Sequence, residues 1–431
     1  MPEPTTPLAE RPWESVERML DVDAALDLVL RAFRPLPAID LPLLEASGLV
    51  LADDAVARDN VPPFRNSAMD GFAVRCADIA SASWEHPVVL PVVAHVAAGD
   101  PFAPSLPARS AIRIMTGALL PPEADAVVRF EETSEGVGPV AASPDEVRVF
   151  RPTRLLDNVR EAGEDIAIGA VVAKAGTTLT PPLIGQLASV GRERVRVHRR
   201  PVVAILSTGD EVVAPEKPLE PGKIRDSNAF VLAAAARHWG AQTTLLGIAR
   251  DSVDDIEEKL RCARDADLIV TSGGVSLGDF DFVKDVLRAK GEIQVWQVRM
   301  KPGKPLAFGT VGGVPLIGVP GNPVAAAVSF TVFGRPAIRR MLGTHGVNPP
   351  LIRVRSGGPI DNRGFRRHYV RVRLDRSSGL LPVAHVVGDQ GAGILSSLAA
   401  AEALAIVPET VEAVAEGDEL EAMLLDWANE L

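Results

Sequence analysis

The chain has 431 residues, of which 47% are hydrophobic and 23% are charged. Because one hydrophobic core rarely organises so long a chain, we expect a globular protein of three or four domains. The formal net charge of −11 argues against general binding to nucleic acid or to a membrane surface. Any anionic ligand must therefore bind in a local basic pocket.

Cysteine usage and hydropathy indicate the compartment in which the chain works. Cys76 and Cys262 provide no disulfide framework, which favours a reducing compartment. The first residues carry neither the basic stretch nor the apolar core of a secretory signal. No stretch approaches the roughly 20 apolar residues that a membrane helix needs. We therefore expect a soluble, cytoplasmic protein that binds neither membranes nor nucleic acid.

The N-terminal part of the chain predicts a linker domain interrupted by a small β domain. Residues 1–56 contain an amphipathic helical pattern at 15–34 and the first part of the linker domain. In residues 57–168, short β-like segments separated by Pro and Gly predict the small β domain. Residues 169–200 form an extended connector, which we assign to the second part of the linker domain.

From residue 201 onward, predicted strands and helices alternate. Apolar runs such as 202–206 and 316–319 are typical of buried strands, and helical patterns follow several of them. This alternation predicts a three-layer αβα domain over 201–345, with a mostly parallel sheet covered on both faces. β-like segments return in residues 346–431 and predict a C-terminal β domain. The predicted fold class is therefore multidomain α/β plus β.

Four polar turns follow predicted strands of the αβα domain, and the ends of parallel strands meet at one edge of a sheet. Their glycines let the backbone approach a ligand closely, and their hydroxyl groups can donate to phosphate oxygens. One of these turns leads from a strand into a helix, whose free N–H groups favour an anion. The candidate ligand-binding residues are Ser207, Thr208, Gly209, Ser272, Gly273, Gly274, Ser276, Lys301, Lys304, Pro320, Gly321, Asn322 and Pro323.

Three acidic residues in or near these turns, Glu211, Asp251 and Asp281, would repel an anionic ligand. A unit charge about 4 Å away contributes roughly 4 kcal/mol at an effective dielectric near 20, against about 0.3–1 kcal/mol for a helix terminus. A divalent cation would reconcile the carboxylates with the anion, and Mg²⁺ favours carboxylate and phosphate oxygens. Asp251 and Asp281 are the predicted metal ligands. Structural explanations stay open, because Asp251 is also suited to cap a helix and Asp281 to compensate a helix dipole.

Seven sequence motifs occur in one order along the chain. They are Asn66-Ser-Ala-Met-Asp-Gly71, Arg113-Ile-Met-Thr-Gly117, Gly163-Glu-Asp-Ile166, Ser207-Thr-Gly-Asp-Glu211, Gly273-Gly-Val-Ser276, Lys301-Pro-Gly-Lys-Pro305 and Pro320-Gly-Asn-Pro323. In this order they resemble the molybdopterin molybdenumtransferases, the MoeA and gephyrin E-domain family. The resemblance runs from about residue 14 to the C-terminal end.

The resemblance implies an activity and an assembly. The activity is insertion of molybdate into adenylylated molybdopterin, with release of AMP and dependence on Mg²⁺. The implied fold combines a molybdopterin-binding αβα domain with a C-terminal β-barrel-like domain. The implied assembly is a homodimer, in which the αβα domain of one subunit faces the small β domain of the other across the active-site cleft.

The resemblance also assigns residues to the two sides of that cleft. The residues that match the partner's side are Asp70, Thr116 and Asp165, and those that match the acidic αβα side are Glu211, Asp251 and Asp281. Together these six form the expected catalytic set. Residues that match family contacts to the pterin phosphate or the oxyanion are Ser276, Lys301, Lys304 and, from the C-terminal domain, Arg371.

Two departures from the family pattern concern the oxyanion. Ala325 and Ala392 stand where the family usually has Ser, and both missing hydroxyl groups would be plausible oxyanion contacts. Two other functions stay open: a molybdopterin adenylyltransferase that keeps the same αβα domain and, because of the two alanines, a non-catalytic pterin-binding or scaffold protein. The sequence does not distinguish molybdate from tungstate.

Overall fold

The structure is a computed structural model that describes residues 19–136, 145–250, 252–274, 294–377 and 379–427. Three predicted site residues, Asp251, Ser276 and Asp281, lie outside the described residues, and their roles stay predictions. Within the described ranges, none of the helices combines the length and the apolar character that crossing a membrane requires.

A six-stranded sheet forms the centre of the αβα domain. Its first four neighbouring strands are mutually parallel, whereas the fifth is antiparallel to the fourth and the sixth to the fifth. The sheet is therefore mostly parallel, and the predicted fold class is confirmed. In spatial order the strands are Gln242–Ala249, Val202–Thr208, Leu268–Ser272, Val314–Val319, Pro305–Val311 and Gln294–Gln297.

Successive residues of these strands face opposite helical layers, because side chains alternate along a strand. Ile205 is buried in the core that includes residues of helix Asn228–His238. Leu206 is buried on the other face, against residues of helix Val253–Arg261. The other helices described are Val22–Arg31, Pro181–Ser189, Pro323–Ser329, Arg335–Met341 and Leu395–Ala399, with a π-helical turn at Phe330–Gly334 and 3-10 turns at Cys76–Ile79 and Phe130–Glu132.

The linker domain is built from two stretches that are distant in the sequence. Strand Ala38–Pro42 pairs antiparallel with Arg194–His198, and Ala55–Val56 pairs with Val171–Ala173. Residues of helix Pro181–Ser189 share the same apolar core. The chain thus leaves this domain to form the small β domain and then returns to it.

The small β domain contains a five-stranded sheet with two apolar cores, one on each side. Strands within it alternate between the two cores, so that Phe72 and Ala73 are both fully buried but in different clusters. In spatial order the strands are Ala126–Arg129, Gly71–Val74, Ala111–Ile114, Val88–Val96 and Glu146–Val149, with a separate pair formed by Asn66–Ser67 and Val159–Arg160.

The C-terminal β domain is a small closed barrel. Strand Arg367–Asp375 pairs on one edge with Val383–Val386 and on the other with Ala403–Val407, which closes the sheet. The barrel is completed by Leu351–Ser356 and Glu419–Leu424, and a separate pair is formed by Ile360–Asp361 and Ala413–Val414.

A short strand, Met300–Lys301, joins the αβα domain to this barrel. It pairs in parallel with the start of Arg367–Asp375, with Met300 opposite Arg367 and Lys301 opposite His368. The segment therefore comes from the αβα part of the chain but extends the sheet of the barrel. The position of Lys301 consequently depends on the contact between the two domains.

The N-terminal helix Val22–Arg31 and the residues before it contact both sides of the same junction. Leu20 donates its backbone N–H to the carbonyl oxygen of Gln297 at 2.8 Å, just before the helix Val22–Arg31 begins. The two terminal nitrogens of Arg367 donate to the two carboxylate oxygens of Asp23 at 2.7 and 2.8 Å. This two-point ion pair holds the helix against the barrel strand that carries the junction.

Asp426, near the end of the described chain, connects three elements. Its carboxylate accepts a hydrogen bond from Trp239 Nε1 at 3.1 Å and two from Arg335, at 3.2 and 3.0 Å. The Arg335 side chain is only 11% exposed, whereas that of Asp426 is 31% exposed. The rings of Trp239 and Trp427 lie 5.7 Å apart in the same region.

We predict that Asp426→Ala lowers the free energy of unfolding by about 2 kcal/mol, because it leaves the charge of Arg335 buried without its partner while solvent still screens part of the loss. Urea unfolding followed by tryptophan fluorescence measures this, since Trp239 and Trp427 report on the region. Asp265→Ala is the control, because its side chain is 92% exposed and should change little. Equal midpoints for the two variants would contradict the prediction.

Candidate functional site

A cavity of about 910 Å³ lies where the central strands end, between the αβα domain and the C-terminal barrel. Members of all four predicted polar turns line it, so the structure brings together residues that are far apart in the sequence. The predicted residues among its lining are Ser207, Thr208, Gly209, Glu211, Ser272, Gly273, Gly274, Lys301, Lys304, Pro320, Gly321, Asn322 and Pro323.

The first two turns are held together at the cavity floor. Thr208 donates its hydroxyl to the backbone carbonyl of Ser272 at 3.3 Å. Gly273 has a φ of +90°, and a Cβ there would lie 2.9 Å from Thr208 Oγ1 and 3.0 Å from the Thr208 carbonyl oxygen. Only glycine combines this backbone conformation with such a close approach. The geometry of the site therefore requires glycine at position 273.

Asn228, which is not among the predicted site residues, links the second of these turns to the fourth. Its side-chain nitrogen donates to Ser272 Oγ at 2.7 Å and to the backbone carbonyl of Gly321 at 2.8 Å. It lines the cavity at the first turn of helix Asn228–His238. The sequence Asp226-Ser-Asn228 is typical of a helix cap, and Asp226 accepts a hydrogen bond from the Ala229 backbone at 3.0 Å.

Ser207 offers a polar group that the protein itself leaves unused. It lines the cavity, is only 2% exposed, and its Oγ atom has no hydrogen-bond partner among the described residues. A buried hydroxyl without a partner is unusual, because most such groups are satisfied. A ligand oxygen in the cavity would provide the missing partner.

The turn 301–304 lies against helix Pro323–Ser329 because of Gly303. This glycine has a φ of +106°, and a side chain there would collide with the hydroxyl of Ser329. The backbone carbonyl of Lys304 accepts a hydrogen bond from Val298 N at 2.7 Å, which closes the turn. Lys301 and Lys304 therefore enter the cavity from one fixed loop.

The described lining of the cavity carries a charge opposite to that of the whole chain. Its described lining includes four basic residues and two carboxylates. The two carboxylates are Glu211 and Asp226, and one oxygen of Asp226 is occupied by the cap described above. Excess positive charge at this place provides the local basic pocket that an anionic ligand requires. The four basic residues are Arg225, Lys301, Lys304 and Arg366.

Glu211 is the member of the predicted acidic set that the structure places in the cavity. Its carboxylate lies against Gly209, where a Cβ would come within 2.6 Å of Oε2. Among the residues that the structure describes, no group of three or more His, Cys, Asp or Glu side chains is arranged to hold a metal ion. The two predicted metal ligands, Asp251 and Asp281, lie outside that part of the chain.

Arg371 lies behind the cavity wall and does not line the cavity. It is fully buried, and its Nη2 donates to the backbone carbonyls of Asp389 and Gly391 at 3.0 and 3.2 Å. Its Nε and Nη1 have no hydrogen-bond partner within the described ranges. Burial lowers the pKa of this guanidinium from its ordinary value. Arg371 thus supports the turn of Gln390 and Gly391, which themselves line the cavity.

The two alanines that depart from the family pattern both line the cavity. Val324 donates its backbone N–H to the carbonyl oxygen of Ala392 at 3.0 Å, which holds the helix of Ala325 and the turn of Ala392 together. Two methyl groups therefore stand at this wall in place of the hydroxyl groups that the resemblance leads one to expect.

Asp70, Thr116 and Asp165 do not belong to the described lining of their own chain's cavity. Asp70 accepts hydrogen bonds from Thr116 N at 2.7 Å and Thr116 Oγ1 at 2.8 Å. These two bonds lower the pKa of Asp70, because they stabilise its charged form. Asp165 donates its backbone N–H to Val61 and lines a separate shallow groove. The three predicted partner-side residues thus remain apart from the cationic cavity within one chain.

Comparison with known protein families covers most of the chain. Residues 20–191 match the MoeA N-terminal region (domain I and II). Residues 204–340 match the probable molybdopterin binding domain, and residues 353–425 match the MoeA C-terminal region (domain IV).

Curated relatives and solved structures agree with these matches. A protein of Mycobacterium tuberculosis named molybdopterin molybdenumtransferase 2 is 39% identical over 401 residues, covering 91% of this chain and 96% of the relative. A molybdopterin molybdenumtransferase of Haemophilus influenzae is 39% identical over 75% of this chain and 78% of its own length. The crystal structure of a molybdopterin biosynthesis MoeA protein from Pyrococcus horikoshii superposes with a TM-score of 0.78 at 32% identity, covering 94% of this chain and 99% of that one. The chain therefore belongs to the MoeA family of molybdopterin molybdenumtransferases.

Proposed function

We propose that the protein inserts molybdate into adenylylated molybdopterin and releases AMP, a step in molybdenum cofactor biosynthesis. The observation that carries this proposal is the convergence of four polar turns on one cationic cavity in a chain of net charge −11. The names of the relatives and the matched molybdopterin-binding domain support the identity of the substrate.

The pterin nucleotide would bind through its phosphate groups. Lys301 and Lys304 would supply positive charge, and the buried hydroxyl of Ser207 would gain the partner that it lacks within the described structure. The bare backbone at Gly273 would allow a phosphate to approach the sheet edge closely. Asn228 would act by keeping two turns at a fixed separation.

Three acidic residues would then serve the reaction itself. We assign Asp251 and Asp281 to Mg²⁺, and the carboxylate of Glu211 suits the same ion because Mg²⁺ prefers oxygen ligands. When bound, Mg²⁺ supplies positive charge that polarises the phosphoanhydride. Glu211 would hold or move a proton, or orient water, at the bond that releases AMP.

A second subunit would complete the cleft. Asp70, Thr116 and Asp165 match the partner side of the family's active site, and within one chain they stay outside the cavity lining. The hydrogen bonds from Thr116 keep Asp70 charged and oriented. We therefore propose a homodimer in which each cavity faces the small β domain of the other subunit.

The methyl groups of Ala325 and Ala392 favour one other candidate, a protein that binds the pterin nucleotide without inserting metal. Tight binding of adenylylated molybdopterin without metal loading would support that candidate. Consumption of ATP in the absence of adenylylated pterin would instead indicate an adenylyltransferase.

We predict that purified protein releases AMP from adenylylated molybdopterin when molybdate and Mg²⁺ are present, and that EDTA stops this release until Mg²⁺ is restored. Glu211→Gln should slow AMP release by about 10²-fold, because general acid–base groups contribute at least that much. The matched control is Glu216→Gln, an exposed carboxylate of the same segment that does not line the cavity. AMP release that is insensitive to EDTA would reject the Mg²⁺ assignment, and equal rates for the two variants would reject the role of Glu211.

A mixing experiment tests the shared cleft. Asp70→Ala and Glu211→Ala should each be inactive alone, but refolding them together should restore about a quarter of wild-type activity, because half of the dimers are mixed and each mixed dimer has one intact site. The control pair is Glu211→Ala with Lys304→Ala. Both of these substitutions lie on the αβα side, so no mixed dimer contains an intact site. Recovery in neither mixture would contradict a cleft formed by two subunits.

A further inference from the structure

Arg366 is a basic residue of the cavity, although the sequence around it does not indicate this position. It stands in a run of arginines that alternate along a predicted strand, which is typical of a solvated face. In the structure it lies just before the strand Arg367–Asp375 and lines the cavity from the barrel side. It therefore faces the lysine turn of the αβα domain across the domain junction.

The described residues provide no anionic partner for the charge of Arg366. Its side chain is half-buried, and no carboxylate of the described residues forms an ion pair with it. Burial lowers the pKa of the guanidinium from its ordinary value, and no carboxylate in the part of the chain that the structure describes offsets that effect. A half-buried cation without an anionic partner is unfavourable, so an anion entering the cavity would relieve it.

The backbone that presents Arg366 is held in one conformation. Asn362 is only 2% exposed, and its side-chain nitrogen donates to the carbonyl oxygens of Arg366, Pro408 and Val411 at 3.0, 3.1 and 3.0 Å. Three acceptors around one amide group fix the loop to the segment that follows the neighbouring strand Ala403–Val407.

Phe365, directly before Arg366, has a φ of +49°, a left-handed conformation that is rare for a bulky aromatic residue. Such strain persists only where the surrounding structure enforces it, and it is found preferentially at binding and active sites. The Arg366 side chain lies over Gly364, where a Cβ would come within 3.4 Å of Nη2. The loop is thus shaped around this arginine.

We propose that Arg366 is a binding residue for a tetrahedral oxyanion of the substrate, either a phosphate group of the pterin nucleotide or molybdate, and that Asn362 positions it. The guanidinium would donate to the oxyanion from the barrel while Lys301 approaches from the αβα domain. Bound substrate would then connect the two domains. The proposal rests on the proposed function for the identity of the substrate, but oxyanion binding is measurable without turnover.

Binding of two separate probes, radioactive molybdate and AMP, to the full-length protein tests this proposal. Arg366→Gln should weaken binding of at least one probe by on the order of tenfold or more, because a charge-assisted hydrogen bond is lost. The probe that is affected identifies the oxyanion. Arg366→Lys should retain part of the affinity, since it keeps a point charge but not the planar guanidinium.

The matched control is Arg363→Gln, three residues earlier, whose side chain is 87% exposed and pairs with Asp361 at 3.3 Å. It should bind both probes as the wild type does. Asn362→Ala should weaken the same probe as Arg366→Gln although the arginine remains. If Arg366→Gln and Arg366→Lys fold with wild-type melting temperatures and bind both probes like Arg363→Gln, the proposal is overturned.

The outcome separates this inference from the proposed function. If oxyanion binding depends on Arg366 but the protein inserts no molybdenum, the role of Arg366 is supported and the proposed function is contradicted. If Arg366→Gln inserts molybdenum normally, with an unchanged KM for adenylylated molybdopterin and an unchanged affinity for molybdate, the proposed function is supported and the role of Arg366 is contradicted.

Discussion

The site depends on one short pairing between two domains. Met300 and Lys301 leave the αβα domain and pair in parallel with Arg367 and His368 of the barrel. Because of this pairing, the lysine turn and the barrel wall face the same cavity, which neither domain encloses alone. The ion pair of Arg367 with Asp23 holds the paired strand from outside. A change at this junction would therefore alter the spacing of the cations.

Electrostatics explains why such a junction needs to be held firmly. The cavity collects basic side chains in a chain whose overall charge is negative, and cations that approach one another in a partly desolvated space repel. Among the residues that the structure describes, two nitrogens of the fully buried Arg371 have no partner, and the half-buried Arg366 has no counterion. The folded protein thus holds these cations close together, and an anionic ligand would reduce their mutual repulsion. Affinity for the anion is in part the free energy recovered when the charge of Arg366, which lines the cavity, gains a partner.

Local patterns were sufficient to predict the layers and the strand ends, but not the contacts between distant turns. Alternating strands and helices predict the parallel sheet, and parallel strands bring their polar ends to one edge. Asn228 stands in a sequence typical of a helix cap, whereas its side chain bridges Ser272 and Gly321. Arg366 looked like one of several solvated arginines, and only the loop fixed by Asn362 turns it toward the cavity. These roles arise from contacts between residues that are distant in the sequence, and the periodicity of the sequence does not predict such contacts.

The two alanines change how an oxyanion is held at this wall. At Ala325 and Ala392 the cavity presents methyl groups, so neutral hydroxyl donors are absent from these two positions. The neighbouring lining still offers the cation of Arg366 and the amide of Gln390, whose turn is supported from behind by Arg371. Recognition here would depend more on charge than on hydroxyl geometry. Since charge-based contacts weaken with ionic strength more than neutral hydrogen bonds do, the affinity of this protein for an oxyanion should fall as salt is added. A cavity that lacks two hydroxyl groups still suits an anion, because Asn362, Gly303 and the junction strand hold in place the backbone that carries the remaining cations.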